Sequence, residues 1–60
     1  MDLNPYMDLL EPLYDTSGAW QWLHTAQALL GGAVPVDLIR NGEASRVLVA
    51  IQQLRDSVHI

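Results

Sequence analysis

Glu43-Ala44-Ser45-Arg46-Val47-Leu48-Val49-Ala50-Ile51-Gln52-Gln53-Leu54-Arg55-Asp56-Ser57-Val58 decides the fold of this chain. Val47, Leu48, Ile51, Leu54 and Val58 recur at i, i+3/i+4 spacing, which gathers them on one face of an α-helix. Ser45, Arg46, Gln52 and Asp56 fall largely away from that face, while Val49 and Ala50 widen the apolar surface. Glu43 in the first turn and Arg55 in the last both suit the helix dipole.

Upstream, Asn41-Gly42 reads as the stop of a shorter helix, Pro35 to Arg40. Asn-Gly also suits a type I′ hairpin turn, but the flanks do not alternate at period two, so a helix stop and a new start is the reading. Pro35 suits a first helical position, where its missing N–H costs nothing. Ala26 to Ala33 is a turn region ending in Gly31-Gly32. Paired glycines could cradle a phosphate, but that needs a preceding strand and a neighbouring Lys or Ser/Thr, and neither is present. A helix C-cap and tight turn is the reading instead.

Asp15, Thr16 or Ser17 caps a helix from about Gly18 to His24. Trp20 and Trp22 point in different directions on that helix, so one is expected at an interface. At the start of the chain, Asn4 reads as an N-cap and Pro5 as the first helical residue. Leu3, Tyr6, Met7, Leu10, Leu13 and Tyr14 follow at helical spacing, and Pro12 ends or kinks this helix near Leu10 or Glu11. No stretch alternates as a half-buried strand does. The expectation is an all-α fold, a small bundle of about four short helices with a longer C-terminal amphipathic helix. Its expected core is Trp22, Leu23, Leu30, Pro35, Leu38, Val47, Ile51 and Leu54.

Sixty residues allow one domain with a marginal core of its own. Half the residues are apolar and only 17% are charged, so an exposed apolar patch is expected, and such patches mark interaction sites. Self-association or a partner is expected to complete its stability. With no cysteine, disulfides and thiolate metal sites are excluded. His24 and His59 are too far apart in the chain for a helical metal pair, so no metal or cofactor is expected.

The net charge is −4, and Asp2, Asp8, Glu11 and Asp15 all fall in a stretch without Lys or Arg. Sequence-independent nucleic-acid binding needs several cations, and an anionic membrane surface needs the same, so neither partner is expected. No apolar run is long enough to span a bilayer, and Met1-Asp2 does not open a signal peptide. A cytoplasmic location is the expectation.

Catalysis lacks parts. Ser45, His24 and Asp37 could be assembled on paper into a triad, and Asp37 with Glu43 into a carboxylate pair, but each has a simpler role at a helix end or on solvated surface. His24 is expected to end a helix. Arg40 and Arg46 flank the Asn41-Gly42 turn and are expected to pair locally with Asp37 and Glu43.

From Ala19 to Ile60 the chain reads Trp22-Leu23, Leu30-Gly31-Gly32, Pro35-Val36-Asp37-Leu38-Ile39, Arg40-Asn41-Gly42-Glu43 and Arg46-Val47. This order and spacing resembles the toxin-binding domain of the Xre/MbcA/ParS antitoxins. Five residues differ from the usual pattern. Ala26-Gln27 stands for Pro-Asn, Val34 for the hydroxyl residue before Pro35, Ser57 for a glycine and His59 for an aromatic or aliphatic residue.

The resemblance implies a partner, a RES-domain toxin that destroys NAD. It implies that the last helix and the tail Val58-His59-Ile60 cover the toxin's NAD pocket, with Arg46 and Arg55 on the approach face. Residues 1–18 would then be an acidic N-terminal helix or extension, and residues 19–60 the toxin-binding domain. No helix-turn-helix fits residues 1–18, so a free-standing or truncated antitoxin, acting as a homo- or hetero-oligomer, is the expectation. The alternatives are a self-associating scaffold domain without a toxin partner, and a phage-borne decoy.

Overall fold

The structure is a computed structural model that describes residues 1–57. Four α-helices follow one another, α1 (Asn4–Leu10), α2 (Thr16–Leu23), α3 (Pro35–Arg40) and α4 (Ala44–Ser57), with a 3-10 turn η1 (Ala28–Leu30) between α2 and α3. The described residues contain no strand. The chain is a small all-α bundle, and its longest helix is the last.

Each helix begins and ends for a local reason. Asp15 caps α2, its Oδ1 accepting a hydrogen bond from the Gly18 N–H at 2.7 Å. The helix therefore starts at Thr16, two residues ahead of the expected Gly18, and His24 is its C-cap. At α1 the N-cap is Leu3, not Asn4. Leu3 offers no side-chain cap, and ahead of the helix Asp2 Oδ1 accepts from the Asn4 N–H at 3.0 Å. α1 stops at Leu10, and Leu13 and Tyr14 both return their N–H groups to the Leu10 carbonyl. Pro12 forbids continuation there. α3 has no side-chain cap, because Val34 occupies that position.

Two left-handed turns close the short elements. After α3, the Glu43 N–H reaches Leu38 O at 2.7 Å and the Gly42 N–H reaches Ile39 O at 3.2 Å. These are the paired bonds of a Schellman motif, with Gly42 at φ +80°. After η1 the same pair recurs, Gly32 N–H to Gln27 O at 2.9 Å and Gly31 N–H to Ala28 O at 3.0 Å, with Gly31 at φ +66°. A Cβ on Gly42 would meet nothing within 4 Å, so Gly42→Ala isolates backbone strain. It should destabilise the chain by about 1–2 kcal/mol. Thermal melts of parent and variant check this, and an unchanged midpoint would mean the turn relaxes freely.

Leu10, Ala19, Trp22, Leu23, Leu30, Val36, Leu38, Val47, Ala50 and Ile51 form one core. Pro35 is also buried, and Leu54 is partly buried against the cluster. Among the described residues no polar side chain is buried, so their core carries no desolvation penalty to offset. α4 lies against α3, η1 and α1, while α2 packs on α1 and α3.

Two expectations for α4 need correction. Leu48 is 43% exposed, and Ala50 takes the core position instead, because the buried stripe runs Val47, Ala50, Ile51, Leu54. Glu43 precedes the helix rather than filling its first turn, its carbonyl accepting from the Arg46 N–H at 3.1 Å. Val58, expected on the core face, lies outside the described residues together with His59 and Ile60.

Candidate interaction surface

α4 and η1 enclose a shallow groove of about 260 Å³. Leu29, Leu30, Val49 and Ala50 supply its carbon surface, and Ser45, Arg46 and Gln53 its polar rim. Leu29 is 49% exposed and Val49 57% exposed, which leaves two large apolar side chains facing solvent on either side of the groove. Both were missed in the sequence. The Leu29-Leu30 doublet did hold a signal, since neighbours on a 3-10 turn point apart and only one can enter the core. Val49 is placed similarly, on the flank of the stripe that Val47 and Ile51 bury.

Arg46 stands at the groove rim and is half exposed. Its Nη1 donates to Glu43 Oε1 at 3.4 Å and its Nη2 to the Leu30 carbonyl at 3.5 Å. The pairing with Glu43 was expected, and the bond to Leu30 was not, because it bridges two elements far apart in the chain. Both bonds are long, and an exposed pair of this kind contributes little to stability. They leave guanidinium donors available to an incoming acceptor.

Arg55 is exposed in the last turn of α4. The step from Arg46 to Arg55 is about two and a half helical turns, so the two arginines leave α4 on opposite sides. They do not form one flat approach face. The other proposed contact residues, Val58, His59 and Ile60, fall outside the described residues.

On α2, Trp22 is buried and Trp20 is 53% exposed, so it is Trp20 that faces outward. The His24 ring sits 4.2 Å from the Trp20 ring, centroid to centroid. His24 Nδ1 lies 2.8 Å from the Trp20 carbonyl oxygen, an acceptor, so this nitrogen carries the proton. His24 thus bonds the Trp20 backbone while its ring lies against the exposed indole. No hydrogen bond joins any two of Ser45, His24 and Asp37 among the described residues. Those residues also contain no group of three or more His, Asp or Glu placed to hold a metal. No described helix is long and apolar enough to cross a membrane.

Comparison with known proteins identifies no relative: no family model matches the chain, and no curated protein or solved structure gives a significant match.

Proposed function

We propose that this chain is an antitoxin-like interaction domain that binds a RES-domain toxin and covers its NAD-degrading active site with the end of α4 and the tail that follows. One observation carries the structural side of this reading. The buried residues of α4 are Val47, Ala50 and Ile51, all in its first two turns or so, and Leu54 is only partly buried. Arg55, Asp56 and Ser57 are exposed. The helix is therefore anchored at one end and presents the other, with Arg55 at the presented end and Arg46 at the anchored one. A helix end held this way can enter a concave site without unfolding the domain behind it. The resemblance from Ala19 to Ile60 supplies the identity of that site, an NAD pocket.

The test is direct. The chain would be added to a purified RES-domain toxin while NAD consumption is followed. The proposal expects inhibition that saturates near one chain per toxin active site. Undiminished NAD consumption across RES-domain toxins at excess chain would remove it.

A second reading is favoured by exposed Leu29, Leu48 and Val49, namely a scaffold domain that uses this surface to self-associate. Sedimentation separates the two. A scaffold predicts a chain–chain complex that Val49→Asp breaks, and an antitoxin that binds through the end of α4 predicts that toxin binding survives the same substitution.

A further inference from the structure

We infer that Asn41 is a site of spontaneous covalent modification, that the Gly42 backbone nitrogen attacks its side-chain amide, and that opening of the α3–α4 turn sets the rate. This inference does not rest on the toxin reading.

The chemistry needs only base and water. The Gly42 nitrogen gives up its proton to base and forms a bond to Asn41 Cγ. The bond from Cγ to the side-chain nitrogen breaks, and that nitrogen takes up a proton and leaves as ammonia. The product is a five-membered succinimide. Water then opens it at either carbonyl. Cleavage of the new bond from Cγ to the Gly42 nitrogen gives aspartate. Cleavage of the original peptide bond gives isoaspartate, in which the main chain runs through Cβ of residue 41. Nothing is oxidised or reduced.

The sequence confines this reaction to one place. Asn4 and Asn41 are the two asparagines of the chain. Asn4 is followed by Pro5, whose nitrogen has no proton to lose. Asn41 is followed by Gly42, which has no Cβ to obstruct the attack, and the space where one would stand is open. Asn41 and Gly42 are both exposed. The Asn41 side chain makes no hydrogen bond among the described residues. Each glutamine would need a six-membered ring, which closes more slowly.

The fold holds the reaction back. The Gly42 N–H donates to the Ile39 carbonyl at 3.2 Å, and Asn41 has ψ 9°. Rotation about that ψ must bring the Gly42 nitrogen over Cγ, and this breaks the bond to Ile39. The bond is long, exposed and at a helix end, where local opening costs least. The open turn is thus the reactive state, and the rate reports its population. The products refit poorly. Isoaspartate adds a backbone carbon inside the turn, so the Gly42–Ile39 bond and the 2.7 Å Glu43–Leu38 bond no longer match in register. Aspartate adds a charge at the negative end of the α3 dipole, a turn beyond Asp37.

The test holds the full chain in warm, mildly alkaline buffer, with and without urea. Intact mass and peptide mapping follow the change from amide to acid, and enzymatic methylation detects isoaspartate. The folded chain should gain acid at Asn41 alone. The urea sample should react faster by about tenfold or more, as the turn is open throughout. Asn41→Ser should gain no mass in either buffer, a readout that holds whether or not the variant folds. The modified chain, separated by its added charge, should melt a few degrees lower than the parent. A folded chain without mass gain after weeks, or a gain in Asn41→Ser equal to the parent's, would overturn the site. Equal rates with and without urea would overturn the control by the turn. A modified chain that melted like the parent would overturn the mismatch between product and turn.

Discussion

Ile51→Asp is expected to unfold this chain. Ile51 is 1% exposed in the shared core, on the face of α4 that meets α3, η1 and α1. The substitution removes a large buried side chain, at about 2–5 kcal/mol, and puts an unpaired carboxylate in its place. A domain of 60 residues has about 3–9 kcal/mol of stability in total. The variant should therefore lose most of its helical circular dichroism at room temperature. Leu48→Asp is the control, because Leu48 is 43% exposed on the same helix. It should shift stability by about 1 kcal/mol or less. If the two variants melted alike, the assignment of the buried face would be wrong.

Deleting residues 58–60 is expected to separate function from fold. Among the described residues the buried part of α4 stops at Ile51, with Leu54 partly buried beyond it. Helical content should stay nearly that of the parent. Inhibition of a RES-domain toxin should weaken by about tenfold or more, equivalent to about 1.4 kcal/mol of binding. Equal inhibition by the full and shortened chains would rule out a role for the tail, and would leave binding through the rest of α4 standing.

The all-α architecture was legible because three signals agree along the chain. The stripe Val47, Ile51, Leu54 has helical period, Pro35 opens α3, and Gly31 and Gly42 close their turns in the left-handed region. Periodicity and turn residues point to the same helices, though not to the same terminal residues. The errors have a common source. Leu48 and Ala50 both fit an apolar stripe on α4, and only tertiary packing decides which is buried. The α3–η1–α1 floor lies on the Ala50 side. The same ambiguity hid the exposure of Val49.

The cap of α1 was misplaced because Asn4 is already helical, its N–H bonded to Asp2, so that the apolar Leu3 takes the N-cap position. The candidate surface was less legible than the fold. Arg46 and Arg55 are both basic and both on α4, yet their helical phase puts them on opposite sides. It was the resemblance, and not the residues themselves, that implied a shared approach face. The α4–η1 groove joins residues from distant parts of the chain, Leu29 and Val49 among them. Periodicity within one helix carries no information about such a pairing.

NAD consumption by a RES-domain toxin, titrated with the intact chain, tests the central claim most directly. An antitoxin-like domain predicts that consumption falls to background near one chain per toxin active site, and that the core-preserving Leu48→Asp chain remains folded in the same assay. Full NAD consumption in the presence of excess, folded chain would contradict it.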